Sequence, residues 1–185
     1  MSKRVALIGS GNAFFKDEGL GLYAAKYLKE NYTFEPDIEI VDGGTLGFLL
    51  MPLLQEFEYV IIVNTASDES KKVGEITIKN TDEFLDGSLI KKTANEVEIA
   101  EMLQICSLTE AMANTTVISI VPEDIISVEV GLSSSVMDTW QNYIDTTLQE
   151  INSLGVKSLK KENEVTLTTI LDIFANPSIE HNRGF

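Results

Sequence analysis

Val5-Ala6-Leu7-Ile8-Gly9-Ser10-Gly11-Asn12 is the stretch of this sequence that decides the fold. Its first half is a short apolar run, and its second half is a loop with two glycines. An apolar run of this length that ends at a turn signal is typical of a buried strand. Residues 18–31 then place apolar side chains three and four positions apart, which predicts a helix with one apolar face. A buried strand that leads through a glycine loop into such a helix predicts an α/β domain.

The same alternation of strands and helices continues along the chain. Further strands are predicted at residues 37–42, 58–64, 73–79 and 115–121. Further helices are predicted at 45–54, 94–108 and 133–154, and Thr45 is the predicted N-cap of the first of them. Residues 80–92 are predicted to form a polar loop. This order indicates a three-layer α/β/α sandwich around a mostly parallel, twisted sheet of about five strands. Ligand sites in such sheets lie beyond the carboxyl ends of the strands, here residues 9–18, 42–45 and 64–68.

The length of 185 residues fits one domain with a sizeable core. We place this domain at residues 1–155 and interpret residues 156–185 as a C-terminal extension. The extension begins with a basic, polar segment and continues with an apolar stretch at 165–174. We expect it to be a surface appendage with one ordered helix or strand and a frayed end at 178–185.

Composition excludes several classes of function. The net charge of −15, from 29 acidic and 14 basic residues, opposes binding to nucleic acid. No apolar stretch approaches the roughly 18 to 20 residues that insertion into a membrane requires, and the N-terminus lacks the pattern of a signal peptide. We therefore expect a cytoplasmic protein. The single cysteine, Cys106, excludes an internal disulfide framework and a cysteine-based zinc site, and its helical apolar setting predicts an inert core thiol.

The first loop also invites a dinucleotide-binding interpretation. A strand, a glycine loop and a helix precede Asp42, an acidic residue placed where a ribose-binding carboxylate is expected. However, Phe14 occupies the position of the third glycine, and Asp17 and Glu18 place negative charge where a pyrophosphate needs positive potential. Both acidic residues are also explained by a favourable interaction with the helix dipole. Binding of a nucleotide or small molecule is therefore a minor alternative.

Taken together, seven segments resemble the family of hydrogenase maturation endopeptidases. They are Val5–Asn12, Asp17–Gly21, Asp42–Gly47, Val60–Ala66, Asn95–Glu98, Ile120–Pro122 and Gly131–Ser133, and they follow one another in order over residues 3–154. The pairing of the first loop with Asp42-Gly43-Gly44-Thr45 is the most specific part of the resemblance. The resemblance implies an enzyme that removes a C-terminal peptide from the large-subunit precursor of a nickel–iron hydrogenase after nickel insertion.

The resemblance also implies three metal ligands, and this chain retains one of them. Glu18 matches the carboxylate of the first loop, whereas Asn64 stands where an aspartate is expected and Asn95 where a histidine is expected. Imidazole and carboxylate groups are good ligands for nickel, whereas an amide oxygen is neutral and weakly basic. We therefore expect nickel binding by this chain to be weakened or absent, and we expect the substrate to carry the nickel ion. Glu96 and Asp68 are considered as substitute ligands, and the only histidine, His181, lies outside the matched region.

The resemblance makes Asp42 the candidate catalytic residue, because it lies in the Asp-Gly-Gly-Thr segment of the family and remains intact here. Cleavage that uses this aspartate instead of a metal-bound water could survive weakened metal binding. Its structural alternative is that Asp42 only shapes the turn into the next helix. Glu18 is the candidate ligand, and the remaining candidates for the substrate cleft are Asp17, Gly43, Gly44, Thr45, Asn64 and Asn95. A serine or cysteine protease is excluded because the domain has no histidine base. The main alternative is a non-cleaving relative that acts as an assembly partner of the precursor.

Overall fold

The computed structural model describes residues 4–86, 93–109 and 112–177. The strands are β1 Val5–Ser10, β2 Tyr32–Glu35, β3 Glu39–Gly44, β4 Tyr59–Thr65, β5 Ile76–Asn80, β6 Asn114–Ile120 and β7 Lys157–Lys160. Five of them form a sheet in the order β3-β1-β4-β6-β5, in which the β5–β6 pair is antiparallel and the other pairs are parallel. The prediction of a mostly parallel sheet of about five strands is confirmed.

Helices cover both faces of this sheet. They are α1 Leu20–Asn31, α2 Met51–Glu56, α3 Thr81–Asp86, α4 Ala94–Ser107, α5 Ser134–Ser153 and α6 Leu167–Ala175, and 3₁₀ turns at Lys16–Gly19 and Gly47–Leu50 precede α1 and α2. One apolar cluster joins the sheet to α1, α5 and α6, and a second joins it to α2, α3 and α4. The predicted three-layer α/β/α sandwich is therefore confirmed. None of the helices in the described part of the chain has both the length and the hydrophobicity to cross a bilayer.

The two apolar clusters follow from alternation along the strands, because successive side chains of a strand point to opposite faces of the sheet. Leu7, Ile61 and Ile118 contribute to the cluster on the side of α1 and α5. Ile8 and Ile62 contribute to the cluster on the side of α4. This alternation also decides which polar residues at the carboxyl ends of the strands can meet.

Three predictions need correction. Residues 81–86 form α3 rather than a polar loop, because Phe84 is a single apolar anchor buried against the core; residues 87–92 lie outside the described part. Thr45 is not an N-cap, since the 3₁₀ turn begins at Gly47 with Leu46 before it. The chain after residue 155 forms both β7 and α6, where one element was predicted. Residues 178–185, including His181, lie outside the described residues.

The C-terminal elements contact the rest of the chain closely. Strand β7 pairs with β2 in a small antiparallel sheet. Asn31, which ends α1 and is fully buried, accepts a hydrogen bond from the backbone of Val165 and donates one back to it. Ile170 of α6 is fully buried in the cluster that also contains Tyr23 and Tyr143. Residues 156–175 thus share the core of the sheet. The division at residue 155 remains a prediction.

Candidate functional site

Three small polar side chains lie in a row at the carboxyl edge of the sheet, on the face covered by α4. They are Ser10 of β1, Asn64 of β4 and Ser119 of β6, and all are buried. Each stands two positions beyond, and on the same face as, an apolar residue of the cluster beneath α4, namely Ile8, Ile62 and Val117. The row therefore continues the alternation of the strands, with polar residues where the apolar core ends.

Hydrogen bonds join this row to the start of α4. The Ser119 hydroxyl donates to Oδ1 of Asn64 at 2.6 Å, and the Ser10 hydroxyl donates to Oδ1 of Asn95 at 2.9 Å. The Nδ2 atom of Asn64 is buried and has no hydrogen-bond partner among the described residues. The structure thus brings Asn64 and Asn95 to one edge of the sheet and commits both amide oxygens to serine hydroxyls; Asn95 lines the cavity described below, whereas Asn64 is not among its lining residues.

Helix α4 begins where its sequence predicts. Thr93 is its N-cap, and its side chain accepts a hydrogen bond from the backbone N–H of Glu96, while the Glu96 carboxylate accepts one from the backbone N–H of Thr93. This capping box fixes the first turn of α4 and places Asn95 next to Ser10. The Thr93-x-x-Glu96 spacing is the sequence signal of this capping box, and it assigns Glu96 a structural role.

Neither of the two residues considered as substitute ligands is free for that role. The Glu96 carboxylate also accepts hydrogen bonds from the backbone and hydroxyl of Ser67. The Asp68 carboxylate accepts hydrogen bonds from Ser70 and pairs with Lys79. Both acidic groups are therefore engaged in holding the loop after β4.

Glu18 is the buried carboxyl group that faces the site. It is 6% exposed and lines a cavity of about 250 Å³, together with Asn12, Phe15, Thr45, Thr93, Ala94, Asn95, Glu98 and Ile125. Burial raises the pKa of Glu18, a hydrogen bond from Thr93 lowers it, and the nearby Glu96 carboxylate raises it again, for a net pKa above the ordinary value. Glu18, Thr45 and Asn95 are the predicted site residues that this cavity brings together.

Asp17, predicted to line the cleft, is fully buried and serves a different purpose. Its carboxylate accepts hydrogen bonds from the backbone N–H groups of Glu123, Asp124 and Ser133 and from the Ser133 hydroxyl. Three of the four donors are backbone groups of the loop between β6 and α5, which contributes Ile125 to the cavity. Asp17 therefore holds one wall of the cavity in place.

Asp42, the predicted catalytic residue, does not line this cavity. It is exposed and borders a separate hollow formed with Leu22, Ala25, Lys26, Lys29 and Ile40. Alternation along β3 explains this placement, because Ile40 packs on the α1 side of the sheet and Asp42 lies two positions further along. Gly43 is buried against Ile8, where a Cβ atom would lie 2.7 Å from a methyl group, and Gly44 has the positive φ of 45° that favours glycine.

The residues at the three implied ligand positions do not fit a resident transition-metal ion. They supply one carboxylate and two neutral amides, and both amide oxygens already accept hydrogen bonds. Within residues 4–86, 93–109 and 112–177, no three His, Cys, Asp or Glu side chains are grouped so as to hold a metal ion. Cys106 lies in the core as predicted, and burial raises the pKa of its thiol.

Comparison with known proteins identifies relatives of this architecture. The family model described as HycI, hydrogenase maturation protease, matches residues 22–150. The protein HydD of Wolinella succinogenes is 27% identical over 140 residues, which cover 74% of this chain and 87% of that protein. The hydrogenase 2 maturation protease of Escherichia coli is 23% identical over 160 residues, which cover 86% of this chain and 97% of that protein.

Solved structures show the same fold. The hydrogenase maturating endopeptidase HybD from E. coli superposes with a TM-score of 0.76 at 21% identity, over 85% of this chain and 98% of that chain. The [NiFe] hydrogenase maturation protease HybD from Thermococcus kodakarensis superposes with a TM-score of 0.65 at 23% identity, over 80% of this chain and 98% of that chain.

Proposed function

The chain belongs to the hydrogenase maturation protease family, and from this premise we propose that it acts in the cytoplasm on the C-terminal region of a nickel–iron hydrogenase large-subunit precursor. The observation that carries this proposal is that Glu18, Thr45 and Asn95 line one and the same cavity of about 250 Å³. These residues come from segments far apart in the sequence, each of which carries part of the family resemblance. Their meeting in one cavity supports a shared site for the bound segment.

The surroundings of the cavity favour a polypeptide partner. Phe14, Leu46 and Ile126 are 67%, 48% and 82% exposed. Each is the sequence neighbour of a residue that lines the cavity, namely Phe15, Thr45 and Ile125. Exposed apolar side chains next to cavity-lining residues add apolar surface around the cavity, and apolar surface marks protein–protein contact sites where it is contiguous. We propose that these loops contact the precursor on either side of the bound segment.

The charge of the cavity weighs against a nucleotide. Its lining includes the carboxyl groups of Glu18 and Glu98, and none of the described lining residues is a lysine or arginine. A phosphate group would therefore meet negative charge without a compensating cation. A small-molecule or nucleotide ligand is the weaker interpretation of this site.

Within the cavity we propose Glu18 as the carboxyl group that contacts the bound segment. Asn95 and Thr45 offer hydrogen-bonding groups for a peptide backbone beside it. Asp42, predicted to be catalytic, lies in the hollow beside α1, so the proposal gives it no direct contact with the segment. Nickel enters this proposal as part of the precursor.

A second candidate function is a binding partner that recognises the precursor without cleaving it. One observation favours it, namely that amides occupy two of the three positions where the family resemblance implies metal ligands. In that role the chain would hold the C-terminal region during assembly. The two functions differ in a single measurable step, which is the loss of the C-terminal peptide.

The deciding experiment is the intact mass of a nickel-loaded large-subunit precursor after incubation with and without this protein, combined with size-exclusion chromatography of the mixture. Loss of a C-terminal peptide supports the protease. An unchanged mass with co-elution supports the non-cleaving partner. A precursor that is neither shortened nor bound overturns both forms of the proposal.

A further inference from the structure

We propose that this chain coordinates no nickel at Glu18, Asn64 and Asn95, and that it recognises its precursor equally well with and without nickel. The first half of this statement concerns the isolated chain, whereas the second half rests on the proposed function. The inference comes from the disagreement between the ligand set that the family resemblance implies and the hydrogen bonds that the structure shows.

The first observation is the engagement of the two amide oxygens. Oδ1 of Asn64 accepts a hydrogen bond from Ser119 at 2.6 Å, and Oδ1 of Asn95 accepts one from Ser10 at 2.9 Å. A cation placed at either oxygen would compete with a hydroxyl hydrogen that already points at it. Ligation would therefore require two buried hydrogen bonds to be lost, which opposes metal binding.

The second observation is the shortage of negative charge. A divalent cation in a buried site needs anionic ligands, because an uncompensated buried charge is costly. Glu18 supplies one carboxylate. The nearby buried acids are engaged elsewhere, since Asp17 binds the backbone of residues 123–133 and Glu96 binds Ser67 and caps α4. The three implied ligand positions are thus short of at least one anionic ligand, since Glu98, which also lines the cavity, occupies none of them.

The third observation is the unpartnered Nδ2 atom of Asn64. This atom is buried, and within the part of the chain that the structure describes it is a donor with no acceptor. A positively polarised N–H₂ group repels a cation, whereas it is satisfied by a hydrogen-bond acceptor such as a carbonyl oxygen. The amide therefore favours an acceptor at the place where the family resemblance implies a metal ion. Hydrogen bonding takes the place of metal coordination.

The first arm of the test is calorimetric titration of the isolated protein with Ni²⁺. We expect no saturable binding that depends on Glu18, so that the wild type and the Glu18→Gln variant give the same isotherm. We expect the double variant Asn64→Asp/Asn95→His to bind one Ni²⁺. Residues that only contact the ligands of a metal already change metal affinity by about 10- to 100-fold. Restoring two ligands should therefore make the Ni²⁺ affinity of the double variant at least about 100-fold higher than any affinity measured for the wild type.

A matched control makes the same chemical changes at exposed positions. Asn114→Asp/Asn142→His alters charge and histidine content identically, away from the site, and should leave the isotherm unchanged. Circular dichroism reports whether each variant is folded. If the Asn64→Asp change prevents folding, the comparison of wild type with Glu18→Gln still decides the question. One Ni²⁺ bound by the wild type and lost in Glu18→Gln overturns the inference.

The second arm measures binding to metal-free and nickel-loaded precursor. We expect the two dissociation constants to agree within about twofold, whereas a preference of about tenfold or more for the nickel-loaded form overturns the inference. If neither precursor binds, both the proposed function and the claim of nickel-independent recognition are wrong. The claim that the chain does not coordinate nickel is still tested separately, by the Ni²⁺ titration of the isolated protein.

Discussion

The Ser119 hydroxyl donates a 2.6 Å hydrogen bond to Oδ1 of Asn64 across the boundary between β6 and β4, with both side chains buried. The two residues are partners in the parallel register of these strands. Since Nδ2 of Asn64 has no partner in residues 4–86, 93–109 and 112–177, the hydrogen bond from Ser119 offsets the cost of burying this amide. The carboxyl edge of the sheet therefore depends on a pair of uncharged side chains.

Replacing Ser119 with alanine should destabilise the fold. Both polar atoms of the buried Asn64 amide would then lack a partner, and an unsatisfied buried group costs about 1 to 3 kcal/mol. Urea unfolding followed by circular dichroism measures the change in unfolding free energy. Ser107→Ala, an exposed serine at the end of α4, is the control and should stay within about 0.5 kcal/mol of the wild type. Equal effects of the two substitutions would contradict the assigned role of Ser119.

Asp17→Asn should loosen the loop between β6 and α5. An amide oxygen accepts more weakly than a carboxylate, and the amide nitrogen would face the backbone N–H groups that Asp17 now binds. Because a hydrogen bond to a charged group contributes about 1.5 to 3 kcal/mol, we expect a loss of stability of at least that size. Hydrogen exchange should accelerate in residues 123–133. Asp138→Asn, on the exposed face of α5, should change neither quantity.

Much of this architecture could be predicted from sequence because its strands are apolar and its helices periodic. The buried strand at β4 and the helix at α5 are examples in which local pattern and tertiary environment agree. Helix α3 could not be predicted in the same way, because it is only six residues long and buries one side chain, Phe84. Tertiary packing rather than local periodicity stabilises such a helix.

The position of a residue along a strand could be predicted from the sequence, whereas the direction of its side chain at the end of the strand could not. Asn64 and Asn95 reach the same edge because β4 and α4 both end or begin there. Asp17 and Glu18 are adjacent in sequence, yet their side chains point in different directions. Asp17 binds the backbone of residues 123–133, whereas Glu18 lines the cavity. The divergence occurs within the 3₁₀ turn at Lys16–Gly19. The backbone N–H groups of Lys16 and Asp17 donate to the carbonyls of Glu129 and Asp124, so a loop more distant in sequence fixes this turn.

Asp124 should titrate at unusually low pH. Hydrogen bonds from the Ser127 hydroxyl and the backbone of Ser127 and Ile126 lower its pKa from 3.8 to about 2. A carboxyl group whose pKa is lowered by folding stabilises the folded state above its unfolded pKa, and this contribution is lost as the pH falls through the folded pKa. The contribution of Asp124 should therefore be complete above pH 3.8 and disappear near pH 2.

Carboxyl-carbon NMR titration of Ser127 variants tests this pKa. Ser127→Ala removes the largest cause of the shift and should move the pKa of Asp124 toward 3.8, whereas Ser127→Thr keeps a hydroxyl and should preserve much of it. Glu75, whose pKa is lowered by Lys71, serves as an internal reference and should be unaffected. A pKa of Asp124 that is identical in wild type and Ser127→Ala would show that the serine does not hold the carboxylate.

Glu18→Gln should impair action on the precursor more than Asp42→Asn. Glu18 lines the cavity, whereas Asp42 is exposed in the separate hollow beside α1. We expect at least about tenfold weaker binding, or slower cleavage where cleavage occurs, for Glu18→Gln and less than about twofold change for Asp42→Asn. Binding isotherms and intact-mass time courses measure the two effects. The reverse order would support the prediction that Asp42 is the catalytic residue.

Ile170→Ala should destabilise the whole chain and not α6 alone. Ile170 is fully buried among residues of α1 and α5, and truncation of a buried isoleucine to alanine costs about 2 to 5 kcal/mol. Thr168→Ala, on the exposed face of the same helix, is the matched control and should have little effect.

If residues 156–175 fold with the sheet, urea unfolding of Ile170→Ala remains a single transition at a lower urea concentration, and hydrogen exchange accelerates in β1 and β4 as well. A separate early transition confined to α6 would instead support the predicted boundary at residue 155, because the extension would then unfold independently of the core it covers.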